Sequence, residues 1–175
     1  MQGFELPRLE EKTVEAIRYT DAFEQRWEEF VRRANNGTIF HLRRFLRYHP
    51  PERFRDHSLV FLKEGKLLAL FPAVELEREG KRVLASHAGA SYGGFVVRSN
   101  LSLRDAFRLV GSLDRYATRE GFDAVELTQP PTVYLQRPSN YLDFALIQNG
   151  FAYKKREMSS VVCLLYTSDA ADEGL

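Results

Sequence analysis

His57 to Ser86 reads HSLVFLKEGKLLALFPAVELEREGKRVLAS, and the fold follows from how this stretch divides. His57 to Leu62 is apolar and stops at Lys63-Glu64-Gly65-Lys66. Leu67 to Leu76 forms a second run, and Glu79-Gly80 turns the chain into a third, Lys81 to Ser86. Short glycine-bearing turns between β-rich runs are hairpin signals, so the stretch predicts a three-stranded antiparallel meander. Pro72 lies inside the middle run. Without an N–H it cannot donate to a ladder, which predicts an edge position or a bulge there.

Upstream, Thr13 to Tyr19 predicts a first strand, and Asp21 opens a helix whose Phe23, Trp27, Phe30, Val31 and Ala34 share one face. Asn35-Asn36-Gly37 ends that helix. A second, short helix is predicted from Leu42 to Tyr48, with Leu42, Phe45 and Leu46 inward, its arginines outward, and Pro50-Pro51 stopping it. Downstream, Ser102 and Asp105 make a capping-box-like start to a helix with the apolar stripe Leu103, Phe107, Val110, Leu113 and Ala117, and Gly121 stops it. Phe122 to Leu127 reads as a strand broken by Gln129-Pro130-Pro131. Asn140 is placed to cap a helix from Tyr141 to Gln148, and Phe151 to Val162 returns as a last strand. The predicted order is β-α-α-β-β-β-α-β-α-β: an α/β (α+β) chain with a mixed, mostly antiparallel central sheet flanked by helices.

With 175 residues, 44% of them hydrophobic, the chain is long and apolar enough for one packed domain. A net charge of +1 supplies no general pull toward nucleic acid or anionic membrane. Cys163 is the single cysteine, which excludes an internal disulfide and fits a reducing, cytoplasmic compartment. No apolar run reaches the roughly 20 residues of a membrane span. His41, His49 and His57 lack the spacing with acidic or thiol partners that a metal site needs. Neither a G-x-S-x-G elbow nor a Walker loop occurs, so hydrolase and kinase chemistry have no support.

The densest functional signal is His87-Ala-Gly-Ala-Ser-Tyr-Gly-Gly-Phe95. Its glycines permit positive φ and close backbone approach to a ligand, Ser91 and Tyr92 offer hydroxyls, and His87 titrates near neutral pH. Substrate binding is therefore expected of His87, Ser91, Tyr92, Gly93 and Gly94. The same string also reads as a tight turn in which the glycines solve geometry and Tyr92 fills a gap. Tyr134, Arg137 and Tyr141 lie where a loop and helix start could line a groove. Arg156 could meet the acceptor or a second lobe, or serve with Lys154 and Lys155 as edge-strand charge. Arg43, Arg44 and Arg47 read either as an anion or tRNA contact or as a solvated helix face. No catalytic residue is assigned.

The order of elements, the string Ser91-Tyr92-Gly93-Gly94-Phe95, and Asn140-Tyr141-Leu142-Asp143-Phe144 leading to Asn149-Gly150-Phe151 resemble the GNAT superfamily, in particular the N-terminal lobe of FemAB-like proteins. The resemblance covers Met1 to Val162. It implies two lobes in tandem that transfer an acyl or aminoacyl group, from acetyl-CoA or aminoacyl-tRNA, to an amine on a small molecule or cell-wall precursor. The donor would sit in the second lobe and tRNA is a possible partner. A donor-competent GNAT lobe carries Gln/Arg-x-x-Gly-x-Gly/Ala at a helix start, whereas Phe95 to Arg104 contains no glycine. No cofactor is therefore expected in this lobe. The alternative is a non-catalytic GNAT-like module that binds an acceptor or partner.

Cys163 to Glu173, CLLYTSDAADE, resembles a translated transposase adapter of sequencing libraries, so residues 163–175 are expected to be a non-native tail and 1–162 the first lobe of a truncated reading frame. Alone, that lobe is expected to be inactive.

Overall fold

The computed structural model describes residues 13–157, apart from Pro51 and His87. Its strands are β1 (Val14–Arg18), β2 (Arg55–Asp56), β3 (Leu59–Lys63), β4 (Lys66–Phe71), β5 (Ala73–Arg78), β6 (Lys81–Ser86), β7 (Val96–Val97) and β8 (Ala124–Glu126). The helices are α1 (Glu24–Arg32), α2 (Arg43–Leu46), α3 (Leu103–Arg119) and α4 (Tyr141–Gln148).

The meander is present, and Pro72 divides its middle run into β4 and β5. The pairings β3/β4 (Leu59 with Phe71) and β2/β5 (Asp56 with Val74) share one register, which places Pro72 opposite Ser58. Pro72 donates no ladder bond, and the next amide, Ala73 N, donates to the Ser58 hydroxyl at 3.2 Å. The result is two four-stranded halves, β1-β3-β4-β7 and β2-β5-β6-β8, hinged at one line. Pro72 thus marks a break through the sheet rather than an edge. Both hairpin turns have two central residues at positive φ, Glu64 with Gly65 and Glu79 with Gly80, the geometry that matches the twist of the strands they join.

β6 and β7 both pair antiparallel with the bent β4–β5 strand, Ser86 opposite Ala73 and Val96 opposite Leu70. Residues 88–95 are therefore part of an excursion out of the sheet between the pairings of β6 and β7. β8 adds to β6 in parallel, the one parallel pairing among the described residues.

Helices cover both faces, which explains why Leu59-Val60-Phe61 is apolar without alternation. Leu59 and Phe61 pack with Phe71, Phe95, Leu109, Leu113 and Leu146 under α3 and α4, while Val60, Leu70 and Val96 pack with Trp27, Phe30 and Val31 of α1. Among the described residues no helix is long and apolar enough to cross a membrane.

Three local expectations are corrected. Arg43 does not face outward. It is 4% exposed, donates to Ser58 Oγ at 2.9 Å, pairs with Asp56 and lies 4.0 Å over the Tyr19 ring. Asn140 makes no side-chain cap, and Tyr141 N instead donates to Ser139 Oγ. Residues 151–157 of the predicted last strand are irregular, and its remainder lies outside the described residues, as does Cys163 to Glu173.

Candidate functional site

The 88–95 excursion is anchored from three directions. Gly93 N donates to Thr128 O at 2.8 Å, tying it to the segment after β8. The Asn36 side chain, 3% exposed, donates to Phe95 O and accepts from Val97 N, so it supplies the ladder partners the excursion interrupts. His41 faces Gly93 O at 3.4 Å. Gly94 stands at φ +78°, against Thr128 O and Gln129, a conformation side-chain-bearing residues rarely take. The close approach predicted for this glycine-rich string is thus to the protein's own backbone.

These anchors fix Tyr92 at the surface in an aromatic shelf. Its ring meets Phe40 edge-on at 4.8 Å and Tyr134 at 5.5 Å, with His41 at 6.2 Å. Tyr134 is 51% exposed, and Ile39 and Val133, chain neighbours of Phe40 and Tyr134, are exposed too. Burial pushes the Tyr92 phenol up, with Thr38 opposing, so it stays a neutral hydroxyl at pH 7.

His41 is the fixed post behind the shelf. Thr38 N donates to Nδ1 at 3.1 Å, so the neutral ring carries its proton on Nε2, aimed at Gly93 O. Burial lowers its pKa from 6.5 to about 4 against the opposing pull of the Gly93 carbonyl. At neutral pH the shelf therefore holds aromatic faces and hydroxyls with no full charge, an arrangement that attracts a cation by its ring quadrupoles.

Of the residues singled out in the sequence, Tyr92 and Gly93 meet at this shelf and Tyr134 joins them, while Ser91 is exposed next to Tyr92 in the chain and Gly94 turns against Thr128 and Gln129. His87 lies outside the described residues. Tyr141 opens α4, 42% exposed, and Arg156 stacks 5.3 Å over Tyr153; among the described residues neither makes a hydrogen bond or ring contact with the shelf. Arg137 contributes through its backbone. The three arginines do not form one anion site, since Arg43 is buried with Asp56 and Arg47 pairs with Asp21 and Glu24. Thr38, Phe40 and His41 were not singled out as site residues. Their signal was faint, two aromatic rings directly after the Asn-Asn-Gly helix stop.

An acyl-coenzyme A donor would need an open space and a cradle of free N–H groups at the start of α3. Beside that start the parting between the end of β7 and the segment after β8, lined by Val97, Arg98, Leu101, Gln129 and Pro130, encloses about 70 Å3, against the roughly 300–1,000 Å3 of small-molecule sites. It is held shut by Asn35, whose side chain exchanges two hydrogen bonds with the Arg137 backbone while its own backbone bonds Val97 and Gln136. The α3 start is taken by its own side chains, as Asp105 N donates to Ser102 Oγ. Burial raises the Asp105 carboxyl, but Lys63, Ser102 and Arg108 outweigh it and hold the group ionised, with Lys63 Nζ at 2.7 Å as its partner.

No protein-family model matches the chain, and no curated protein sequence does either. Solved structures do match. A GNAT family acetyltransferase from Staphylococcus aureus subsp. aureus superposes with a TM-score of 0.52 at 11% identity, over 86% of this chain and 99% of the other. The fold is that of the GNAT acetyltransferases. An aminoglycoside acetyltransferase from an uncultured soil metagenomic sample, in complex with sisomicin, gives 0.51 at 16% identity, over 86% and 96% of the two chains. An aminoglycoside N-acetyltransferase in complex with CoA gives 0.50 at 14% identity, over 90% and 99%. In this GNAT fold the narrow parting between β7 and the segment after β8 is the feature that bears most on an acyl donor.

Proposed function

We propose that residues 1–162 are the acceptor-side lobe of a FemAB-like GNAT acyltransferase, and that the Tyr92 shelf receives the amine of a small molecule or cell-wall precursor. The observation that carries this reading is the Phe40–Tyr92–Tyr134 cluster, set rigidly on the Gly93–Thr128 bond beside a parting too small for a donor. A protonated amine is held over the rings, gives its proton to solvent, and attacks the activated carbonyl of acetyl-CoA or aminoacyl-tRNA presented by a second lobe; the C–N bond forms as the C–S or C–O bond to the donor breaks, and the CoA thiol or tRNA hydroxyl leaves with a proton. Rate enhancement then comes chiefly from holding amine and carbonyl together. Ser91 and Tyr92 hydroxyls orient the acceptor, and Tyr141 and Arg156 extend its surface toward the second lobe. A cytoplasmic setting suits the lone Cys163 and such donors.

Butylammonium titrated into the protein and followed by NMR tests the shelf. Saturable shifts at Tyr92 and Tyr134, lost in Tyr92→Leu, are expected, and shifts that survive both Tyr92→Leu and Tyr134→Leu would contradict it. The closed parting equally suits a non-catalytic module that binds acceptor or partner. Resequencing of the source gene separates the two: a reading frame running on into a second GNAT-like lobe supports the transferase, and a stop directly after the Val162 codon removes it.

A further inference from the structure

A second groove lies on the far edge of the sheet, between β1 and α3. It encloses about 550 Å3, several times the parting beside β7, and its helix wall is Arg108, Ser112, Arg115, Tyr116 and Arg119. Those positions recur at helical spacing along one stripe, so three guanidinium groups face one trough. Arg108 is shared with Asp105 at 3.6 Å and Arg119 with Glu120 at 3.1 Å, while Arg115 has no carboxylate within reach among the described residues. Glu15 is the acidic residue in the lining.

The opposite wall is an unpaired strand edge. Among the described residues β1 pairs with β3 alone. Tyr19 N donates to Ser58 O, so in the antiparallel ladder the residues at alternate steps, Ile17 and Glu15, also bond β3. The backbone N–H and C=O groups of Val14, Ala16 and Arg18 therefore point away from the sheet, along the groove.

We propose that this groove binds an extended acidic peptide, which adds a strand to the free edge of β1 and places carboxylates on Arg115 and Arg119. Four residues of helix advance about 6 Å, and two residues of strand about 6.7 Å, so acidic side chains at alternate positions meet successive arginines. The edge supplies affinity through the main chain, and the arginines select for acidic sequence.

The test is fluorescence anisotropy of the full chain with a short labelled peptide alternating Thr and Glu. Saturable binding is expected, weakened about tenfold or more by Arg115→Glu and by the milder Arg115→Ala, and weakened further by salt. A Thr-Lys peptide, or the acidic peptide with its backbone amides N-methylated, should not bind. Equal binding of the Thr-Lys peptide, or binding indifferent to both Arg115 variants, would overturn the proposal. So would inorganic pyrophosphate binding where the peptide does not, which would make the groove a small-anion site. Binding seen only after removal of residues 2–12 would assign the groove to the chain's own first residues and overturn it as well.

Discussion

The buried His41 makes a quantitative prediction about acid stability. Its pKa is lowered from 6.5 to about 4 in the folded protein, so the unfolded chain takes up a proton that the fold refuses. The resulting stability is intact above about pH 6.5 and is lost as the pH falls through the interval down to about 4. Worked through the linkage relation, His41 alone removes on the order of 1 kcal/mol by pH 5.5 and roughly 2–3 kcal/mol by pH 4.5. Other groups act in the same direction: His57 is lowered by burial, and Asp56, Glu75 and Asp105 are held below the usual carboxylate range. His41→Gln keeps a donor toward Gly93 O and cannot titrate, so comparing the two proteins cancels those shared terms. Urea unfolding at pH 7 and pH 4.5 should show the native protein losing roughly 2–3 kcal/mol more than the variant. Equal losses in the two proteins would refute the burial argument and with it the placement of His41 behind the shelf.

Asn35→Ala removes two hydrogen bonds to the Arg137 backbone from a site 4% exposed, and should cost about 2 kcal/mol while accelerating amide exchange at Gln136 and Arg137. Arg43→Ala leaves Asp56 without its partner; because Asp56 is 40% exposed and can rehydrate, the loss in urea unfolding should be about 2 kcal/mol rather than that of a fully buried pair. Glu79→Asn places a residue suited to positive φ where Glu79 stands at +54°, and should raise the thermal midpoint, stabilising by about 0.5 kcal/mol.

Much of the fold was legible because its signals are local. Lys63-Glu64-Gly65-Lys66 and Glu79-Gly80 are hairpin turns in sequence and in structure, and the Phe23 to Ala34 stripe buries Trp27, Phe30 and Val31 as its spacing requires. Pro72 announced a fault in the ladder, but whether that fault was an edge or a break depended on Ser58, fourteen residues away, accepting from Ala73 N. Arg43 defied its outward position because the acid that receives it, Asp56, belongs to a different element. The loop Ser91 to Gly94 was visible from its glycines and hydroxyls. The rest of the shelf was not, since Thr38, Phe40 and His41 reach Tyr92 only after α1 and the sheet have packed. The β1–α3 groove was hidden for the same reason: the helical stripe of arginines is plain in sequence, but the free strand edge opposite it is a property of topology.

The central claim is that this GNAT fold has closed the place where an acyl donor would lie and kept a surface for the acceptor. Calorimetric titration of the protein with acetyl-CoA tests it most directly. The closed 70 Å3 parting and the α3 start capped by Ser102 predict no saturable heat. Saturable binding competed away by CoA would contradict the claim and favour a lobe that holds its own acyl donor.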